Sequence, residues 1–271
     1  MVTTPPSLAT EAVTLGYGER TTSSDLTLAV PTGSFTAVVG ANGCGKSTLL
    51  RALARVLRPT AGAVLLDGRA VDRLPTRQVA RQLGLLPQGS VAPEGITVAE
   101  LVARGRAPHQ GLLQQWRSAD EDAVAAALAA CRLTEVSGRR VDELSGGQRQ
   151  RAWVAVLLAQ ETPVLLLDEP TTHLDIAHQY ELMDLFATLH REGRTVVAVL
   201  HDLAQAARYA DHLVAMKGGR VVAAGAPTDL VTAELVEEVF GLRCLVAPDP
   251  VTGTPCVYPL QPAAAVATVR P

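Results

Sequence analysis

Four short apolar runs, Phe35–Val39, Leu83–Leu86, Val164–Leu167 and Thr195–Leu200, constrain the fold most. None alternates apolar with polar residues, so none has a face to give to water. Strands of that kind are buried on both sides, in parallel sheets covered by helices. Helical spacing fills the intervals. Leu49, Leu50, Leu53, Val56 and Leu57 share one face of a helix predicted over 46–57, closed by Pro59 and Gly62. Further helices are predicted over 176–190 and 203–209, and an apolar-faced one after Ser145. The pattern is that of an α/β fold. Ligands of open α/β sheets bind beyond the carboxyl ends of the strands. The residues just after each run are therefore the candidates for chemistry.

The rest of the chain is arranged around that core. Glu11–Leu15 and Asp25–Val30 alternate like half-buried strands joined by a polar turn, and Ala63–Leu66 reads as another strand. Residues 1–9 look like a loose tail. From 89 to 138 β-branched runs are scarce and helices are predicted over 98–105 and 119–132. That stretch reads as a helical insertion, giving a core of 10–88 and 161–243 with a helical subdomain of about 89–160. Late in the chain come a hairpin around Gly218-Gly219 and a helix over 229–240. Residues 244–271 form an extension whose end, QPAAAVATVRP, is expected to fray.

The first run leads into Gly40-Ala-Asn-Gly-Cys-Gly-Lys-Ser47, which fits G-x-x-x-x-G-K-[ST] between a strand and a helix. Glycines let backbone N–H groups converge on phosphate oxygens, and the helix dipole adds positive potential there. Gly40, Asn42, Gly43, Cys44, Gly45, Lys46, Ser47 and Thr48 are the expected nucleotide contacts. Lys46 would reach the β- and γ-phosphates, and Ser47 would ligate Mg2+. Asp168 and Glu169 end another run. Asp168 would hold Mg2+ through water and Glu169 would polarise the attacking water. His201 ends a third run and is expected at the γ-phosphate. Gln88 ends the fourth, where its amide can reach Mg2+ or water. Ser145-Gly-Gly-Gln148 could be a plain helix cap. Two glycines in a first helical turn cost ~1 kcal/mol each, however, which predicts close backbone approach to something. With one phosphate loop already present, this second anion site must serve another nucleotide or the far side of the same one.

Composition excludes several classes. Net charge is −3 with no basic block, and aromatics are only 3 %. Phosphate-backbone binding needs clustered Lys and Arg, so nucleic acid is not expected as a partner. Cys44, Cys131, Cys244 and Cys256 form no C-x-x-C pair and read as small buried hydrophobes. His109, His173, His178, His190 and His212 lack metal-ligand spacing. The opening MVTTPPSLAT lacks the basic and apolar regions of a secretory leader. No apolar run approaches the ~18–20 residues that span a bilayer, so a membrane role is expected to run through a partner.

Taken together, these motifs resemble the ATP-binding cassette (ABC) ATPases, over about residues 8–260. The signature Leu144-Ser-Gly-Gly-Gln148 is highly specific in such company. The resemblance implies a P-loop NTPase of RecA-like type, with a parallel-sheet core, an N-terminal antiparallel β part and an inserted helical subdomain. It places Tyr17 on the adenine and makes Thr172-His-Leu-Asp175 the loop after the acids. Many members carry Ser-Ala in that loop, and Ala41 stands where a proline is often seen in the phosphate loop; neither variation removes a needed donor. By the same resemblance two subunits pair head to tail. Each ATP then lies between the phosphate loop of one chain and Ser145, Gly146, Gly147 and Gln148 of the other, with Asp175 at the contact.

Finer features are similar to the ATPases of ferric-siderophore and vitamin B12 importers. They are Val102-Ala-Arg-Gly-Arg-Ala-Pro-His-Gln110, the run from Asp168 to Gln179, the run from His201 to Asp211, and Glu237–Cys244 with Pro248-Asp-Pro250. The resemblance implies ATP and Mg2+ as cofactors, a homodimer, two membrane permease subunits contacted around 89–116, and indirectly a substrate-binding protein. It implies a peripheral position on the cytoplasmic face of the cell membrane. Leu112, Leu113 and Trp116 mildly favour a contact patch there. An iron–siderophore complex is the expected cargo, with cobalamin or haem as alternatives. Less expected are a soluble cassette protein, which typically carries two cassettes or a long coiled coil, and a small-molecule kinase, which has no use for Ser145–Gln148.

Overall fold

A computed structural model describes residues 7–18, 20–111, 116–172 and 174–260. The chain opens with β1 (Leu8–Tyr17) and β2 (Arg20–Val30), then β3 (Phe35–Gly40) and α1 (Lys46–Leu53). Next are β4 (Ala61–Leu66), β5 (Arg69–Ala70), α2 (Thr76–Gln82) and β6 (Leu83–Leu86). Helices α3 (Val98–Ala103), α4 (Ser118–Ala130) and α5 (Gly146–Ala159) come after them. Alternation resumes with β7 (Val164–Asp168), α6 (Ile176–Arg191), β8 (Thr195–Val199) and α7 (Leu203–Tyr209). The chain ends in β9 (His212–Lys217), β10 (Arg220–Gly225), α8 (Pro227–Leu230), α9 (Ala233–Phe240), β11 (Cys244–Pro248) and β12 (Pro255–Pro259).

The central sheet has six strands in the order β10-β9-β3-β8-β7-β6. All neighbours in it are parallel except the β9–β10 hairpin at the edge. Its four predicted strands are fully or almost fully buried, as their lack of a polar face requires. Leu86 pairs with Leu167, Asp168 with Val199 and Val38 with Val199. The strands thus end in step, and the segments leaving them emerge along one edge.

Alternate residues of this sheet feed two cores, as the two-residue period of a strand dictates. Val38, Leu166, Val197, Val199 and Val214 pack with Leu49, Leu50 and Leu53 of α1 and with Leu8, Val13 and Leu15 of β1. Helix α1 is therefore gripped between the central sheet and an antiparallel sheet, order β2-β1-β4-β5. Ala37, Leu165, Leu167 and Ala198 face the opposite way, toward residues of α3, α4, α5 and α6. Among the described residues no helix is long and apolar enough to cross a membrane.

Several local expectations change. Residues 8 and 9 are not tail: Leu8 is fully buried and pairs with both Val30 and Leu66, because an apolar side chain at that position completes the lower core. Residues 1–6 lie outside the described residues. Helix α1 stops at Leu53, not at 57. Arg55 adopts a left-handed φ of 59°, and the Val56 and Leu57 N–H groups both donate to Arg51 O, closing the helix. The single helix expected over 229–240 is two, because Thr232 caps α9 by accepting from Leu235 N. Helix α2 has no signal in the apolar pattern, because only Val79 of it is buried. Of the extension, residues up to 260 form the β11–β12 hairpin, while 261–271 lie outside the described residues, as do Leu112, Leu113 and His173.

Candidate active site

The loop from Gly40 to Gly45 wraps the N-terminus of α1. Gly40 sits where a Cβ would meet Met216 O at 2.3 Å and the Cys44 thiol at 2.8 Å. Gly45, the cap of α1, has φ 107°, a value open to glycine and poor for other residues. Lys46 is 5 % exposed. Its ammonium donates to Gly40 O at 2.8 Å and Ala41 O at 3.1 Å, which leaves one of its three N–H groups for an anion. Cys44 shapes the loop rather than lining it: its N–H donates to Ala41 O, its carbonyl accepts from Gly219 and its thiol is buried.

Across the sheet edge Ser47 Oγ donates to Asp168 Oδ1 at 2.8 Å. Asp168 is 2 % exposed, and burial pushes its carboxyl above the ordinary aspartate value, with the Glu169 charge adding to the shift. Ser47, Lys46 and Arg51 oppose that shift. A serine hydroxyl, a carboxylate and the nearby Gln88 amide are hard oxygen donors of the kind Mg2+ takes.

Glu169 carries a left-handed φ of 51°, and its N–H donates to Val199 O at 3.2 Å on the neighbouring strand. That kink turns the carboxylate toward the cleft. His201 Nε2 lies 2.6 Å from Oε1; Gln88 Nε2 donates to Oε2 at 2.6 Å and Thr172 Oγ1 to the same oxygen at 3.3 Å. Three elements thus hold one carboxylate. A cleft of about 390 Å3 is lined by Thr22, Asn42, Gly43, Gly45, Lys46, Ser47, Thr48, Gln88, Glu169 and His201. That lies within the roughly 300–1,000 Å3 of small-molecule sites. Sequence reasoning missed Thr22 and Thr172. Thr22 belongs to an antiparallel strand distant in sequence, and no motif marks it; Thr172 sits in a quoted segment, but no spacing rule singles it out.

The remaining expected residues stand apart. Tyr17 is half exposed, its hydroxyl accepting from Arg51 Nη1 at 3.2 Å, and it does not line the cleft. Nor does any residue of 144–148. Ser145 caps α5: its Oγ accepts from Gln148 N, and Gln148 Oε1 accepts from Ser145 N, both at 3.2 Å. Among the described residues, nothing within 4 Å would obstruct a Cβ at Gly146, and at Gly147 one would only touch Leu174 at 3.7 Å. Packing among the described residues requires neither glycine. Asp175 caps α6 by accepting from His178 N at 3.0 Å, and its carboxyl is held low by that bond and by the His178 ring. One chain therefore carries a loop-and-carboxylate cleft and, elsewhere, an uncovered helix start with free N–H groups.

A family model described as ABC transporter matches residues 23–172. The ferric enterobactin transport ATP-binding protein FepC of Escherichia coli (strain K12) is 56 % identical over 92 % of this chain and 93 % of its own. A siderophore transport system ATP-binding protein, YusV, of Bacillus subtilis (strain 168) is 53 % identical over 93 % and 92 %. Among solved structures, a dimeric post-hydrolysis state of an ATP-binding cassette bound to ADP and Pi superposes with a TM-score of 0.72. It is 26 % identical and covers 81 % of this chain and 98 % of that one.

Proposed function

Because this chain belongs to the ABC transporter family, we propose that it hydrolyses Mg-ATP as a head-to-tail dimer and so drives uptake of an iron–siderophore complex through a membrane permease. The observation that carries the hydrolytic part is the convergence of Lys46, the Ser47–Asp168 pair and the Glu169–His201–Gln88 cluster on one cleft. The cargo is inferred from the two siderophore-system relatives, each more than half identical.

In this reading backbone N–H groups of 42, 43 and 45–48 and the free N–H of Lys46 cradle the β- and γ-phosphates. Ser47 Oγ, Asp168 and the Gln88 amide oxygen would hold Mg2+, which would supply neutralisation of phosphate charge. Glu169 orients the attacking water and takes up its proton as the water oxygen bonds to the γ-phosphorus and the bond to the β-phosphate oxygen breaks. His201 Nε2, now on Glu169, turns its N–H to the γ-phosphate oxygen. Catalysis is chiefly positioning and charge stabilisation, which the cross-braced site provides.

The N–H groups of Gly146 and Gly147, with the Ser145 hydroxyl, complete the site of the partner subunit, which explains two glycines that packing among the described residues does not require. Tyr17 stacks on adenine, and Asp175 lies at the subunit contact. Two permease subunits dock on the surface of residues 89–116, where Val91 and Trp116 expose apolar side chains. The dimer works peripherally at the cytoplasmic face of the cell membrane, with a substrate-binding protein acting from the other side. The test is deletion of the gene followed by uptake of labelled iron–siderophore, haem and cobalamin. Selective loss of iron–siderophore uptake is expected. Selective loss of haem or cobalamin uptake would replace the cargo, and no change in any of the three would sink the transport reading.

A further inference from the structure

Residues 170–172 and 174–175 lie between the cleft and the uncovered start of α5, and glutamines hold them from both sides. On one side stands α7, capped by Asp202, the residue after His201. Gln205 of α7 is 3 % exposed, and its amide nitrogen donates to Gln179 Oε1 at 2.9 Å. Gln179, in the first turns of α6, uses its own amide nitrogen to donate to Leu174 O at 3.0 Å. Its side chain therefore bridges α7 and Leu174 directly. On the other side Gln150 of α5 donates to Pro170 O at 3.0 Å, next to Glu169. The Leu174 side chain lies against Gly147, 3.7 Å from where a Cβ would stand.

Helices α6 and α7 are also joined beyond the glutamines. Tyr209 OH donates to Asp184 Oδ1 at 2.7 Å, and the Arg208 guanidinium lies 5.3 Å from the Tyr180 ring centroid and 5.8 Å from that of Tyr209. These contacts alone would dock one helix on the other. An apolar pair in place of Gln179 and Gln205 would dock them too. What the two amides add is direction, because a donor–acceptor pair is lost on a shift of about 1 Å that apolar packing would tolerate.

We propose that Gln205, Gln179 and the Leu174 carbonyl form a positioning relay. Through it, the place of His201 in one nucleotide site and the place of Gly147 in the neighbouring subunit's site depend on each other. The proposal rests on the reading that Ser145–Gly147 completes the partner's site. Gln179 and Gln205 line no part of the cleft; they act through α7 and through Leu174. Two sites coupled in this way bind and turn over ATP cooperatively, and the coupling disappears when the relay is cut.

The test uses the purified full-length chain, with ATP turnover measured against ATP concentration for wild type, Gln179→Met, Gln205→Met and Gln179→Glu. Met keeps the length and loses the hydrogen bonds. Glu at 179 can still accept from Gln205 but cannot donate to Leu174 O. The wild type is expected to give a sigmoidal curve. All three variants are expected to give hyperbolic curves and a maximal rate about fivefold lower, the factor carried by one hydrogen bond. ATP binding to the single chain, measured by fluorescent-nucleotide displacement, should be unchanged. Sigmoidal variants with wild-type rate per folded molecule would overturn the relay, whatever their melting temperatures, because a purely structural role predicts that result. So would Gln179→Glu behaving as wild type, a loss of single-chain ATP binding, or a hyperbolic wild type. A wild type with no turnover at all would instead overturn the functional reading, and the relay with it.

Discussion

Glu169 and His201 leave different strands, β7 and β8, yet the glutamate Oε1 lies 2.6 Å from the imidazole Nε2. Nothing local brings them together. They meet because β7 and β8 pair in parallel with Asp168 beside Val199, and because Glu169 takes a left-handed φ that turns its side chain along the sheet edge. The other carboxylate oxygen accepts from Gln88 and Thr172, so the group is held from three directions.

Replacing Glu169 with Gln keeps the size and removes the proton acceptor. ATP turnover should fall at least ~100-fold, the lower range of general-base contributions. ATP binding should persist and the ATP-bound dimer accumulate, visible as a shift in size-exclusion chromatography. Phosphate release within about threefold of wild type would remove Glu169 from that role.

Asp168→Asn should separate stability from activity. Burial raises the folded carboxyl value above its unfolded one. Such a group stabilises the fold when protonated, below the unfolded value of about 3.9, and that contribution is lost as pH rises through the folded value. At pH 7 the ionised Asp168 is thus a cost that Asn relieves, while Asn can still accept from Ser47. A melting temperature about 2–4 °C higher at pH 7, with little difference near pH 3, is expected, and Mg2+-dependent turnover should vanish. A lower melting temperature at pH 7 would contradict the assigned direction.

Gly146→Ala tests whether that glycine serves another molecule. A Cβ there meets no described atom within 4 Å, and Ala favours a helix over Gly by ~1 kcal/mol. The variant should melt a few degrees higher. Its turnover should nevertheless drop, because the methyl group intrudes where the partner's nucleotide approaches. Unchanged turnover would show that Gly146 has no partner at close range.

Arg106→Met tests the anchor of the helical region. Arg106 and Asp120 are 4 % and 5 % exposed, joined at 2.9 Å, and Arg106 also reaches Ala159 O at 2.7 Å and Glu161 at 2.6 Å. The Arg106 hydrogen bond holds the Asp120 carboxyl below its usual value. A depressed value stabilises the fold above the unfolded carboxylate value, and the benefit is lost as pH falls through the folded value. The variant should therefore melt several degrees lower at pH 7, where Asp120 loses its cation and keeps only the Arg117 N–H, and the deficit should shrink below about pH 4. A deficit independent of pH would mean that Arg106 acts by packing alone.

Much of the site was legible in order along the chain. The glycine loop, the acids after Leu167 and the histidine after Leu200 each end a run whose apolarity marks it as a buried parallel strand. The reach of the edges was less legible. Leu8 reads as tail because a single apolar residue before a strand carries no period. Helix α1 reads as longer because Val56 and Leu57 continue its apolar face, while the left-handed turn at Arg55 that ends it has no residue signature. Thr22 escapes because its approach to the cleft depends on the antiparallel sheet folding over α1.

By itself the sequence determined the parallel core, the phosphate-binding loop and the identity of the acids and the histidine at its edge. Those depend on local rules: apolar periodicity, glycine geometry and the direction in which a strand delivers its last residue. Only the tertiary structure decided that Gln88, Thr172 and His201 share one carboxylate, that Gln179 joins Gln205 to Leu174, and that Gly146 faces open space. Each of these is a meeting of residues far apart in the chain or an absence of neighbours. Both are set by strand order and helix packing, for which no local pattern in the chain is a proxy.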